Sequence, residues 1–404
     1  MTRLLGLALV LVPVLVACGI TGEDPGAGGG GGGKADDQTP KLRIAQFNIR
    51  ELTTAKLLDA NHRQVKAATE IIARFDAEIL SINEIQYDLA GVPTADLPGA
   101  AQRTLGSVAI DGEPAGNAAR LAERIASVDP ELDYKYSAMF LGNSGFAFSG
   151  NTGGHAELDM RGFGEFPGRF NSALLSKHPI LADDVRAIHD YRWSALPGNS
   201  IDEIKTTLGI AIPDDFPLFE KALFIVPVDV DGNVIHFVLA HPVSAGFSAM
   251  NPYRNRDELR AIALFLSGEL PGVEPLPDGA HFVVVGDLNA DPEDGDGDRA
   301  GISALIEHPL VDAHFPIGRG GSEGTHPERN TFLSGCGRET GPIVTNPATK
   351  LQLQLDYLLT SATLGEPLAS SVFWPHHVND AASYELTCFA SDHRYVWMDL
   401  PRLP

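Results

Sequence analysis

This 404-residue sequence predicts an α/β protein with two β-rich halves and helices outside them. Three stretches carry that expectation. His281 to Asn289 (HFVVVGDLN) is an apolar, β-branched run with a tight exit at Gly286, the pattern of a strand buried on both faces, and it delivers Asp287 and Asn289 at its C-terminal end. Between Leu42 and Ile82 a strand, a helix and a second strand follow one another, the spacing of an α/β unit. Arg256 to Leu266 carries Leu259, Ile262, Ala263 and Leu266 on one face, a helix expected to pack on the sheet just ahead of the central strand. A sandwich of two sheets satisfies the same pattern.

The N-terminal residues bear on the compartment. Arg3 precedes a mostly apolar run from Leu4 to Val16, too short to cross a bilayer and laid out as a secretory signal. Its end, Leu15-Val16-Ala17-Cys18, resembles a bacterial lipoprotein processing box. That resemblance implies a signal peptide over 1–18, lipidation of Cys18 and an address in the cell envelope, at the outer membrane or cell surface. Gly19 carries no retention signal of the aspartate type. An ordinary cleaved signal and a secreted product is the other reading. Residues 19–40, with six glycines from Gly28 to Gly33, read as a flexible linker of roughly 25 Å, leaving 41–404 as the folded domain. A monomer held to the membrane through its lipid alone is expected.

A formal charge of -23 disfavours attraction to polyanions, except where divalent cations reverse the potential locally. It argues against coating nucleic acid without a metal. Besides Cys18 the chain has only Cys336 and Cys388. In an oxidising compartment the pair invites a disulfide, worth about 4 kcal/mol in the chain-entropy picture, that would clamp the segment before Asp392. Two isolated buried thiols is the alternative. Without Cys-x-x-Cys spacing, zinc held by sulfur is not expected.

In order along the chain, Leu42 to Ile49 alternates as a first strand and ends at Asn48. His62 to Phe75 has a helical stripe of Val65, Ala68, Ile71, Ile72 and Phe75. Ile79 to Ile82 is a short buried strand ended by Asn83-Glu84. Residues 88–168, with a helix over Ala118 to Ser127, read as a surface insertion, and Asn171 to Ser176 as a strand. Asp190 to Pro217 reads as irregular. Leu223 to Val230 and Val234 to Ala240 form a hairpin around Asp231-Gly232-Asn233, delivering His241-Pro242. After the central strand comes an acidic run over 291–298, then Leu353 to Leu359 with Asp356 inside it, and Ser391-Asp392-His393 before a closing strand from Arg394 to Leu400.

Asn48, Glu84, His241, Asp287 with Asn289, Asp356, and Asp392 with His393 therefore share one description: polar residues at the end of, or inside, apolar strands. Together they exceed coincidence. The motifs FN at 47–48, NE at 83–84, HP at 241–242, GDLNADPEDGDG at 286–297, LDY at 355–357 and SDH at 391–393 resemble the endonuclease/exonuclease/phosphatase superfamily of divalent-metal phosphoesterases. A secreted bacterial subgroup is similar in GFGEFPGRFNSALLSKHPI (162–180), DYRWSALPG (190–198), RNRDEL (254–259) and VFWP (372–375).

The resemblance implies a four-layered α/β sandwich, two central mixed β-sheets flanked by helices. It implies Glu84 as the main metal-binding carboxylate, with Asn48 and Asp392 completing or orienting the metal's ligands. Asp287 would activate or position water, Asn289 hold a phosphoryl oxygen, and His393, oriented by Asp356, bond to the phosphate. His241 would meet the leaving-group side, and Arg256 the substrate or a structural partner. Oxygen donors of this kind suit Mg2+, Mn2+ or Ca2+. No serine sits in a nucleophile-elbow setting and no Gly-x-x-x-x-Gly-Lys run exists, so acyl-enzyme and nucleotide-triphosphatase readings lack their defining parts.

The expected reaction is hydrolysis of a phosphoester, foremost a phosphodiester of DNA or RNA by an extracellular nuclease. A phospholipid headgroup or small phosphoester is the alternative, and a non-catalytic surface-binding lipoprotein a third reading. The superfamily usually has Arg just before the LDY segment, where this chain has Gln352-Leu353-Gln354, a departure that bears on specificity. The acidic run is either a stabilising calcium site or solvated surface; it lacks the glycine and glutamate of a full calcium loop.

Overall fold

Alternation along the first strand lays out the layers. The computed structural model describes residues 40–89, 92–93, 104–111, 116–338 and 343–404. In β1 (Lys41–Leu52), Leu42 and Ile44 enter one apolar core while Ala45, Phe47, Ile49 and Leu52 enter another. Successive side chains on a strand point to opposite faces, so β1 is covered on both. One face meets helices α1 (Thr54–Leu58), α2 (Arg63–Phe75) and α3 (Asn117–Ala126), through Leu57, Val65, Ala68, Ile72, Leu121 and Ile125. The other meets a second sheet.

The first sheet runs in the order β14 (Ala369–Phe373), β15 (Tyr395–Pro401), β1, β2 (Ile79–Ile85), β5 (Asn171–Ser176), β4 (Tyr136–Phe140) and β3 (Val108–Ile110). The second runs β10 (Val311–Asp312), β13 (Asp356–Ser361), β9 (His281–Asp287), β8 (Asn233–Leu239), β7 (Leu223–Val230) and β6 (Arg186–Ile188). Each is mixed, with a single parallel pair, β1–β2 in one and β8–β9 in the other. A ribbon of β11 (Phe332–Leu333) and β12 (Gln352–Leu353) stands apart from both. Between the sheets Ile44, Ile79, Leu174, Val226, Phe237, Val283, Val285, Leu358 and Met398 interdigitate. The outer face of the second sheet packs on α4 (Ile201–Leu208), α5 (Asn251–Leu266) and α6 (Arg299–Ile306), through Ile204, Leu259, Ile262, Phe265, Ile302 and Leu305. The fourth layer is thereby complete, and the four-layered sandwich is the observed fold.

Several local expectations need correction. The described residues of 88–168 are no surface insertion: β3 and β4 extend the first sheet, and α3 closes its core. These strands are three and five residues long, too brief for a clear alternation. The stretch 190–217 contains α4 and a fully buried Trp193, whose indole donates to Asp257 at 2.7 Å. Only Ile204 of α4 is buried, so no apolar stripe announces it. Helix α5 begins at Asn251 rather than Arg256, because its first turns bury Arg254, Asn255, Asp257 and Glu258 instead of apolar side chains. Helices α6 and α7 (Ala381–Ala390) were not expected; Asp298 and Asp380 cap their N-termini. Residues 1–39, with Cys18 and nearly all of the proposed linker, lie outside the described residues.

The first and last strands are joined by charge as well as by register. Arg43 lies opposite Asp399, donating to its carboxylate at 2.6 and 2.8 Å, and Lys41 adds a bond at 2.7 Å. Burial opposes the charge on Asp399, but these bonds prevail and hold its carboxyl below the ordinary value. A lowered folded pKa means stability that is present above the unfolded carboxylate value and lost as pH falls through the folded one. Asp399→Asn should therefore cost about 2 kcal/mol at pH 7 in urea unfolding, with the gap to wild type closing below about pH 4. An equal gap at pH 7 and pH 3 would contradict the assignment.

Candidate active site

The space between the sheets changes character along the strands. On β1 the positions facing the second sheet read Leu42, Ile44, then Gln46 and Asn48; on β9 they read Val283, Val285, then Asp287. On β2, Ser81 and Asn83 follow Ile79, and on β13 Asp356 precedes Leu358. One end of the sandwich is thus apolar and the other polar, with the same period throughout.

Three departures from regular backbone bring the remaining groups to the polar end. The β1–β2 register shifts between Asn48/Leu52 and Asn83/Ile85, and Glu84 adopts a left-handed φ of 62°. Regular alternation would send Asn83 and Glu84 to opposite faces; here Asn83 reaches the Asp287 backbone while Glu84 reaches Asn48. Glu51, also left-handed at 50°, turns its N–H onto Glu84 at 2.9 Å. Gly286 has φ 147°, and a Cβ there would stand 1.9 Å from the Ala240 carbonyl. Only glycine permits that approach, which brings the His241 loop against Asp287.

The resulting cluster is tight. His393 Nδ1 meets Asp356 at 2.8 Å, and its Nε2 lies 3.6 Å from Asp287. His241 Nε2 lies 3.5 Å from the same Asp287 oxygen. Asn48 donates to Asp287 at 3.0 Å and to Glu84 at 3.1 Å. Asn289 N–H holds the other oxygen of Asp287 at 2.9 Å, and its amide ties to the Pro242 carbonyl at 3.1 Å. Asp392 pairs with Arg50 at 3.2 Å. Glu84 and Asp392 are partly exposed, whereas Asn48, His241, Asp287, Asp356 and His393 are buried, so those two carboxylates form the mouth.

Burial works against the charge on His393, but Asp356 and Asp287 outweigh it and raise the imidazolium to about 10. Burial likewise opposes Asp287 and Glu84, yet the neighbouring histidines hold both carboxyls below their usual range. Asp356 is raised because burial prevails, and Asp392 is pushed up to about 6 by burial, with His393 and Arg50 offsetting part of it. Four carboxylates, Glu84, Asp287, Asp356 and Asp392, thus gather around His393 and Arg50, with buried Arg394 acting on Asp392 and Asp356 from behind. Oxygen donors so crowded suit a divalent cation. Ligand atoms of Glu84, Asp287 and His393 all lie within 4.8 Å of one another, making a divalent-metal-binding triad. Asn48 Oδ1 is buried without a hydrogen-bond partner, as an oxygen reserved for a hard cation would be.

All eight residues grouped in the sequence meet here. Among the expected metal ligands, Glu84 lies in the metal-capable group, alongside Asp287 and His393, to which the resemblance gave roles toward water and phosphate. Arg256 does not reach the cluster: it bonds Asp298, Glu203 and Ser200 and lies over Tyr253, so its contacts are structural. The acidic run meets the chain's own donors. Asp291 accepts from three backbone N–H groups, Asp294 from Thr325, and Asp298 caps α6. Among the described residues, only Glu84, Asp287 and His393 form such a metal-capable group.

Cys336 and Cys388 are joined as a disulfide, their Cα atoms 4.6 Å apart. The loop after Cys336 packs against the site: a Cβ on Gly337 would lie 2.7 Å from the Asp392 nitrogen, and Arg50 donates to the Cys336 carbonyl. Sequence reasoning missed Arg50, Gln46 and Ser391. Arg50 lies two residues past Asn48, and Ser391 Oγ donates to the Asn48 carbonyl at 2.7 Å. Inward parity from Asn48 would have pointed to Gln46.

The sequence profile of the Endonuclease/Exonuclease/phosphatase family matches residues 45–393. Among solved structures, an endonuclease/exonuclease/phosphatase from Beutenbergia cavernae DSM 12333 is similar at 18% identity and TM-score 0.47, covering 89% of this chain and 71% of that one. A family protein from Leptotrichia buccalis C-1013-b is similar at 13% identity and TM-score 0.47, covering 89% and 99%. Sphingomyelinase C from Streptomyces griseocarneus is similar at 16% identity and TM-score 0.43, again covering 89% and 99%. No curated protein matches the chain. From the profile match and the metal triad, the chain belongs to the Endonuclease/Exonuclease/phosphatase family and is a metal-dependent phosphoesterase.

Proposed function

We propose that this phosphoesterase hydrolyses phosphodiesters, with a lipid headgroup or a small soluble ester as substrate, by attack of water on phosphorus. The convergence of Glu84, Asp287 and the unpartnered Asn48 Oδ1 carries the reading, because it offers a hard cation its donors where a phosphoryl group would also be drawn. The net charge of -23 favours a compact substrate over a long polyanion. A lipidated Cys18 on a flexible linker, as the N-terminal sequence suggests, would keep the domain beside a membrane surface.

Glu84 and Asn48 Oδ1 would hold a Mg2+, Mn2+ or Ca2+ ion, with Asp392 and its partner Arg50 bordering it. Such an ion supplies neutralisation of phosphoryl oxygens and a lower pKa for water. Asp287, with His241 and His393 beside it, would orient the water and take up its proton as the P–O bond forms. His393, kept protonated by Asp356, donates through Nε2 to a phosphoryl oxygen. Asn289 keeps one amide hydrogen beyond its bond to Pro242 for a second phosphoryl oxygen. His241 faces Asp287 from the neighbouring loop and would serve the leaving oxygen.

Two outcomes follow. Millimolar Mg2+ should raise the melting temperature of EDTA-treated protein, and Glu84→Gln should abolish that shift while lowering the metal-free melting temperature, since the surroundings favour the ionised carboxylate. A full Mg2+ shift in Glu84→Gln would contradict the metal assignment. In a panel of phospholipids, bis(4-nitrophenyl) phosphate, DNA and RNA with Mg2+ or Mn2+, His393→Ala should lower turnover by about a hundredfold or more. Unchanged turnover in that variant defeats the role given to His393, and faster cleavage of DNA or RNA than of any small ester or phospholipid replaces this substrate reading with a nuclease.

A further inference from the structure

Beneath the reacting groups a chain of amides runs from one sheet to the other. Gln46 on β1 donates through Nε2 to Asn83 Oδ1 at 2.6 Å and to Asp356 Oδ1 at 3.3 Å. Asn83 Oδ1 also accepts the backbone N–H of Asp287 at 2.8 Å, and its Nδ2 donates to Ser172 Oγ at 2.7 Å. Gln46 and Asn83 are wholly inaccessible to solvent, and Ser172, Asp287 and Asp356 nearly so. Three strands of the first sheet are thus linked to the Asp287 and Asp356 strands of the second, at the layer where the sandwich turns polar.

Stability alone does not call for such a chain. On β1 and β5 the inward positions next to it are Ile44 and Leu174, which fill the same gap with apolar packing. Buried amides confer little net gain over well-packed apolar side chains, and they are costly when left unmatched. Asp287 and Asp356 face each other directly across the β9–β13 pair, where like charges repel. Left to themselves these carboxylates would rotate apart. With Oδ1 of Asp356 held by Gln46, Oδ2 is directed at His393 Nδ1; with its N–H held by Asn83, Asp287 keeps its distance from Glu84 on the opposite sheet.

We propose that Gln46 and Asn83 are positioning residues for the reaction: they span the two sheets and fix Asp356, His393 and Asp287 relative to Glu84. The proposal rests on the phosphodiesterase reading above and extends it to residues that touch no substrate.

The test is a double-mutant cycle on the full chain with bis(4-nitrophenyl) phosphate and Mg2+. Gln46→Leu should lower kcat about tenfold with KM within about twofold of wild type; in an Asp356→Asn background the same change should lower kcat by less than about twofold. A purely structural role would reduce turnover by the same factor in both backgrounds, and that result overturns the proposal. Gln46→Met and Ser172→Ala cover the case in which Gln46→Leu does not fold. Both should lose turnover at an unchanged melting temperature, and full activity in both equally overturns it. Wild-type turnover of this ester tests the proposed function on its own. If only a phospholipid is turned over, the cycle is run on that ester.

Discussion

Asp287 and Asp356 lie opposite each other on adjacent strands, deep between two sheets, and the His393 ring bridges them. Buried carboxylates at such range are tolerated only if a cation is shared between them. His393 is that cation, and its two ring nitrogens serve one carboxylate each. This arrangement fixes which nitrogen faces Asp287. Glu84 and the unpartnered Asn48 Oδ1 stand beside that pair, and oxygen donors so placed are the reason the site calls for a divalent ion.

The rest of the fold serves that bridge. His393 enters at the start of the closing strand, and its segment is held from several sides. Ser391 Oγ accepts the His393 N–H and donates to the Asn48 carbonyl, Leu333 N–H bonds to the Asp392 carbonyl, and the disulfide ties the preceding helix to the Cys336 loop. On the other sheet, Asn255 in α5 donates to the carbonyls of Val243 and Leu288, and Glu258 accepts the Val243 N–H. One helix thereby sets the His241 loop against the Asp287 strand. The site is rigid because its supports are secondary-structure elements, and the strain at Glu84, Glu51 and Asn289 is carried by bonds around them.

Much of this was legible in the sequence, for identifiable reasons. Asp287, Asp356 and His393 terminate or interrupt long apolar runs, and a polar group in such a run must answer to something buried. The strands carrying them bury both faces, so their composition alone marks them. Glu84 was legible as a residue but its geometry was not, since the bulge that turns it beside Asn48 depends on how β1 pairs with β2. Arg256 stayed open between a substrate and a structural contact because its acidic partners, distant in sequence, meet it only in the fold. Helix α4 and strands β3 and β4 escaped because each is short and relies on neighbours for its burial. Gln46 and Asn83 escaped because an amide on a strand gives no sign of what it will face across a sheet interface.

The central claim is that the oxygen donors converging at this one point reserve it for a divalent metal. Anomalous diffraction at the manganese edge from crystals grown with Mn2+ tests it most directly. The account predicts one dominant peak at ligand distance, about 2–2.6 Å, from a Glu84 carboxylate oxygen and beside Asn48 and Asp287. A dominant peak in the 291–298 loop, or none near Glu84, would contradict it.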